Sequence, residues 1–341
     1  MRHLLAFLGF LKSRLHYILL VTIALGLANV FFLGGWNIPK PVLLGLVIFG
    51  VIYPVMINIR FEDVLGHFRR PRPLFCSMGL NFIVSPALAA AIGWLFLQNQ
   101  PELHAALMLL ALLPTSAMSA AWTAFSGAKL ETALYLIPAN LLFAAFVALP
   151  FLLPWLLGGR IAVEPWKITQ NILLVFLTPL ILGDLTRRLL VRWKGLETYQ
   201  KNIKPHVGGF SALGVTILIL LVMGQSRNAI LLKDVDLLWQ AALPVLLYYL
   251  ALYPLAIGWA VFLARSGALP RDKALVIVYT SVTRHVNISL ALVLATFPPA
   301  AIPKMVLLVV LAFLVQVPSM AFFAQHFGRR FIAGQGSKPP T

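Results

Sequence analysis

Apolar runs longer than a soluble core helix recur from one end of this chain to the other. Ten of them approach or exceed the roughly 20 residues that a helix needs to cross the hydrocarbon core of a bilayer. They lie at about 17–35, 41–59, 73–97, 103–126, 131–157, 168–186, 209–226, 238–264, 273–297 and 304–325. The segments between them are short, which favours antiparallel neighbouring helices over extramembrane domains. The pattern predicts an all-α polytopic membrane protein with ten transmembrane helices. The first span follows Arg2, Lys12 and Arg14 and lacks a small-residue cleavage site, so it reads as a retained anchor. After the last span, residues 331–341 hold too little apolar surface to order themselves and are expected to form a disordered cytoplasmic tail.

Composition agrees with the pattern. Of 341 residues, 60% are hydrophobic and 11% charged, where a soluble domain carries about a quarter charged. Mean hydropathy is +0.91. The formal charge of +17, from 27 Lys and Arg against 10 Asp and Glu, points in such a chain to topology and not to nucleic acid. With both termini on one side, that side collects twenty of the basic residues and the other side six. The positive-inside rule then puts both termini in the cytoplasm, in a plasma membrane of the bacterial inner-membrane kind. One cysteine, Cys76, excludes an internal disulfide and a multi-cysteine metal site.

Two spans carry polar clusters near their middles, where helix is weakest. The fourth reads Pro114-Thr115-Ser116-Ala117-Met118-Ser119, and the ninth Thr280-Ser281-Val282-Thr283-Arg284-His285-Val286-Asn287. Proline removes a backbone donor and clashes with the preceding turn. In lipid such a break survives only inside protein or beside a wet cavity. These spans are the fourth members of two five-helix halves, 1–165 and 166–330, and Thr-Ser recurs at 115–116 and 280–281. An odd number of spans per half inverts the second half. Paired interrupted helices in inverted repeats point to the midplane site of a secondary transporter. Pro114 alone also fits an ordinary kink, as do Tyr53-Pro54 and Pro138-Ala139-Asn140, and the small residues around 117–121 fit close helix packing.

Arg284 stands apart. A charge near the bilayer centre costs at least about 2.5–3.5 kcal/mol, and none of the ten acidic residues lies in the middle of a span to offset it. Its partner is then an anionic ligand or the C-terminal carbonyls of a broken helix. The alternative is a shifted ninth span from which Arg284 reaches the interface. His285 beside it can titrate, although a lone histidine is more often a hydrogen-bonding group than a proton carrier. Asp184, Arg187 and Arg188, at the end of the sixth span, read as interfacial.

At these residues the chain resembles the bile acid:sodium symporter superfamily, and within it the arsenite permease branch, over nearly its whole length. Val51-Ile52-Tyr53-Pro54-Val55-Met56 followed by Phe61 looks like that branch's second-span signature. Asn81-Phe82-Ile83-Val84-Ser85-Pro86 resembles its third-span element, and Trp122 and Asn140 fall where the branch has a Trp and an Ala-Leu-Asn. Asn287-Ile288-Ser289-Leu290-Ala291 resembles its ninth-span Asn-Phe-Glu-Leu-Ala. The resemblance implies a panel domain and a core domain, with spans four and nine unwound and crossing between them. Two departures matter. Thr115 stands where the permeases carry a cysteine, the natural ligand of trivalent arsenic, and Ser289 stands where they carry a glutamate.

Together these features predict a secondary active transporter that moves a small organic anion by alternating access, coupled to Na⁺ or H⁺. Arg284, His285, Thr115, Ser116, Asn287 and Asn81 are the candidate substrate ligands. Ser119, Asn140, Thr280, Thr283 and Ser289 offer the hard oxygens that a coupling Na⁺ prefers. Beyond Na⁺ no cofactor is expected, and the expected partners are a small anion and the lipid bilayer. An arsenite or metalloid efflux permease is the first rival. An intramembrane enzyme is the second, and it lacks the paired carboxylates or Ser–His set that such chemistry needs.

Overall fold

The computed structural model describes residues 7–11, 14–57, 71–158, 165–228 and 235–333. The described chain is helical, its only β pairing being two isolated bridges. Its principal helices are α1 (Leu15–Leu33), α2 (Lys40–Met56), α3 (Pro71–Phe96), α4 (Pro101–Leu112), α5 (Ala117–Phe125), α6 (Leu130–Leu157), α7 (residues 165–194), α8 (Lys204–Met223), α9 (Val235–Arg265), α10 (Arg271–Val282), α11 (Val286–Thr296) and α12 (residues 302–333). Helix is thus found at every predicted apolar run, with α4 and α5 sharing the fourth and α10 and α11 the ninth. Five of the helical stretches are long and apolar enough to cross a membrane: α3, α6, Asp236–Arg265, Ile302–Ile332 and His206–Met223. The chain is a polytopic, all-helical membrane protein. Helix α12 runs to Ala333, three residues into the stretch expected to be unordered, and 334–341 lie outside the described residues, as do Arg60, Arg69 and Arg70.

Prolines shape these helices in a regular way. Wide π-helical turns occupy 46–52, 80–84, 144–152, 173–177 and 199–203. These five, unlike a sixth at 324–328, are each followed at once by an α-helical segment with proline at its second position: Pro54, Pro86, Pro154, Pro179 and Pro205. A proline inside a helix lacks the donor for the i→i−4 bond and crowds the carbonyl one turn back. Widening the preceding turn relieves that crowding without ending the helix.

The chain folds into two compact units, each assembled from both sequence halves. The first comprises 1–61, 166–239 and 287–307, the second 62–165, 240–286 and 308–341. Glycines let the helices of the first unit touch backbone to backbone. A Cβ on Gly214 of α8 would lie 2.2 Å from the Gly50 carbonyl oxygen of α2, and one on Gly26 of α1 would lie 2.8 Å from Met223 Cβ. Close approach of this kind is how helices associate where lipid removes the hydrophobic drive. Asp184 is buried there and takes hydrogen bonds from Arg187 (2.7 Å) and Arg188 (2.6 Å), all three on α7. In the second unit, α10 is buried from Ala274 to Val282, all but its first turn.

Candidate functional site

Both broken spans have their breaks in the second unit. Helix α4 stops at Leu112 and α5 begins at Ala117. Helix α10 stops at Val282 and α11 begins at Val286. The residues between leave the helical conformation, Ser116 and Thr283 being extended, and the two breaks are joined by their main chains. Pro114 and Arg284 form an antiparallel bridge, and the His285 amide donates to the Leu113 carbonyl at 2.8 Å. Backbone groups freed by the breaks therefore find each other, as a low-dielectric setting requires.

The first break is held by its side chains as well. Thr115 has φ 59°, a left-handed conformation that costs a β-branched residue, and its hydroxyl donates to the Ile137 carbonyl at 3.3 Å. Ser116 caps α5, its hydroxyl oxygen accepting from the Met118 amide at 3.2 Å. Ser119 donates to the Tyr279 carbonyl at 3.2 Å and thereby ties α5 to α10. Asn140 of α6 and Asn81 of α3 share one network. Asn81 Nδ2 donates to Asn140 Oδ1 and to Ser77, each at 3.1 Å, and Asn140 Nδ2 donates to Ser77 at 3.1 Å and to the Leu136 carbonyl at 2.8 Å.

The second break centres on Arg284, which is 1% exposed and so does not reach an interface. Gln316 of α12 clasps its main chain. The Arg284 amide donates to Gln316 Oε1 at 2.6 Å, and Gln316 Nε2 returns a bond to the Arg284 carbonyl at 3.2 Å. Tyr249 donates to the same Oε1 at 2.8 Å. The guanidinium gives one bond, Nη1 to the Ala111 carbonyl at 3.1 Å, and its carbon lies 5.9 Å from the centre of the Tyr248 ring. Ala111 is the penultimate residue of α4, so its oxygen belongs to the negative end of a helix, one of the two partners expected from sequence. Ser85 also donates to that oxygen, at 3.1 Å. With its single proton so used, Ser85 accepts from the Tyr248 hydroxyl at 2.7 Å.

Several buried polar atoms of this unit make no hydrogen bond: Arg284 Nε and Nη2, Ser281 Oγ, Thr283 Oγ1 and Asn81 Oδ1. Leaving such groups dry and unpaired costs about 1–3 kcal/mol each, more for a charged one.

Of the residues singled out from sequence, Thr115, Ser116, Ser119, Asn81, Asn140, Thr280, Thr283, Arg284 and His285 belong to the second unit, while Asn287 and Ser289 fall in the first. The Thr280 hydroxyl donates back along α10, to the carbonyls of Val276 (2.9 Å) and Ile277 (3.2 Å). Gln316, Tyr248, Tyr249, Ser85 and Ser77 support the breaks without having been singled out. Their signal was present, since each is a polar group inside an otherwise apolar run. Cys76 is half-buried on α3, where its carbonyl accepts from Trp259 at 3.1 Å. Among the described residues no three of His, Cys, Asp or Glu gather to hold a metal ion.

A membrane-embedded helical chain with two helices broken in mid-course, their breaks joined around a buried unpaired charge, has the construction of a transporter. The model of the Sodium Bile acid symporter family matches residues 43–233, more than half of the chain, and the chain belongs to that family. It is similar to the arsenical-resistance protein Acr3 of Corynebacterium glutamicum, with 25% identity over 80% of this chain and 74% of that protein. Acr3 of Alkaliphilus metalliredigens is 23% identical over 70% of this chain and 67% of its own. The uncharacterized protein YbaS of Bacillus subtilis is 20% identical over 90% and 94%. The resemblance drawn from the sequence, to this superfamily near its arsenite permease branch, is borne out. The chain is a membrane transporter and not an enzyme.

Proposed function

We propose that this transporter is a secondary carrier that moves a small organic anion by alternating access, with Arg284 as the residue that binds it. The observation that carries this reading is the Arg284 guanidinium, 1% exposed, with Nε and Nη2 unpaired. His285, Thr115, Ser116 and Asn81, of the same unit as Arg284, complete the proposed substrate site. A coupling Na⁺ would have to be held without a membrane carboxylate, by oxygens of Ser119, Asn140, Thr280 and Thr283 in the second unit. A coupling H⁺ would fall to His285. The proposed frame is ten spans in two inverted five-helix halves, 1–165 and 166–330, in a bacterial inner membrane with both ends in the cytoplasm.

The test is a thermal-shift screen of the purified protein against organic acids, sterol acids, arsenite and antimonite, each with and without Na⁺. An organic acid should raise the unfolding temperature of the wild type and leave Arg284→Gln unmoved, while the variant stays folded in the membrane. Equal binding by the variant would make the arginine structural. A second reading, metalloid efflux, is favoured by the names of the two Acr3 relatives. Thr115, in place of the branch's cysteine, opposes it. Arsenite tolerance conferred on cells and kept by Cys76→Ser would establish that reading without any thiol.

A further inference from the structure

The reading above rests on one buried cation, and that cation is also a permanent part of the carrier. With Nη1 held by the Ala111 carbonyl, the free edge of Arg284 is the one formed by Nε and Nη2. Those two atoms present parallel N–H groups, the side-on fork that fits a planar carboxylate with two bonds. The Ala111 oxygen, at the C-terminal end of a helix, is the kind of carbonyl a sodium ion would take, and the guanidinium and the Ser85 hydroxyl already occupy it.

No carboxylate among the described residues pairs with this charge. The described acidic residues of the second unit are Glu102, Glu131 and Asp272, each in the first turn of its helix. Glu131 lies 3.6 Å from Lys129, and Asp272 accepts from the Lys273 amide at 2.9 Å. Arg284 makes no ion pair. An empty site therefore holds one uncompensated positive charge, and a monocarboxylate makes it neutral. To switch access, a carrier passes through a state in which the site is shut away from water on both sides, where a lone charge is costly and a neutral pair is not. The loaded carrier crosses and the empty one does not.

We propose that this chain is an obligatory exchanger of carboxylate anions, with Arg284 standing permanently in the place of a coupling cation. The inference rests on anion binding at Arg284 and deepens it, because a second anion takes over the role of Na⁺ or H⁺. For a monoanion the exchange is one for one and electroneutral.

The experiment uses the full chain in liposomes with three labelled monocarboxylates, pyruvate, lactate and cholate. Binding is read first by thermal shift. The bound acid should enter liposomes preloaded with its unlabelled form about 100-fold faster than empty ones. Replacing Na⁺ by K⁺, or imposing a valinomycin potential, should leave that rate unchanged. Arg284→Lys keeps the charge and loses the fork, so it should bind at least ~10-fold more weakly and still exchange strictly. Arg284-dependent binding with equally fast uptake into empty liposomes, or uptake that needs Na⁺, would overturn exchange and leave the anion reading standing. Failure of the wild type to bind any of the three acids would overturn both.

Discussion

Gln316 was a lone amide in an apolar helix, and its function became visible only when α12 was seen against the second break. It does for Arg284 what a neighbouring strand would do, taking its amide and supplying its carbonyl, while Tyr249 adds a third bond. Replacing it with leucine leaves a buried N–H, a carbonyl and a phenol unpaired, at about 1–3 kcal/mol for each group that finds no substitute. Gln316→Leu should therefore lower the unfolding temperature of detergent-purified protein by more than Tyr249→Phe, and should weaken anion binding along with Arg284→Gln. At this scale the sequence was legible where chemistry is rare. Arg284, Asn81 and Asn140 stand out because a charge or an amide in a membrane run demands a partner. Thr115 was placed in the break by its neighbour Pro114, but its left-handed φ of 59° was not legible, since a β-branched residue is among the last to adopt it. The main-chain pairing of the two breaks and the bond from its hydroxyl to the Ile137 carbonyl hold it there.

Among the helices, proline placement accounts for more than any other pattern. Five prolines follow π-helical turns and leave the helix running, whereas Pro114 ends one. The difference lies beyond the proline: Thr115 and Ser116 after Pro114 leave the helical region, and Ser116 starts a new helix as its cap. Sequence reading recognised Tyr53-Pro54 as a site of bending, but the wide turn before it depends on hydrogen-bond register, which no residue type announces. The ninth-span break has no proline at all and was legible only as a polar cluster. Helix contacts in the first unit yield a sharper expectation. Gly214→Ala puts a methyl group 2.2 Å from the Gly50 carbonyl oxygen, against backbone that cannot rotate away. Overpacking of this kind costs about 1–3 kcal/mol. The variant should unfold at lower temperature than wild type, and Gly45→Ala, where nothing lies within 4 Å, should not.

For the whole molecule, the ten apolar runs were sufficient to locate the helices, but the division into units was not visible along the chain. Each unit interleaves segments from both halves, and the boundary at 286–287 falls at the start of α11. Such a division depends on which helices touch, and hydropathy records only which helices are oily. The excess of basic residues on one set of loops is a whole-chain signal of another sort, and it predicts orientation. Single cysteines placed at Ser13 and at Ser337 in a Cys76→Ser background should both react with a membrane-impermeant maleimide from the cytoplasmic face alone. Labelling of either from the outer face would reverse the assignment of twenty basic residues to the inside.

The bridge from Pro114 to Arg284 and the bond from His285 to Leu113 involve main-chain atoms only. A crossing made in this way reads no side chain, so it tolerates a change of cargo chemistry. The side chains at 115 and 284 hang from this frame without forming it, so either can change while the main-chain pairing stays.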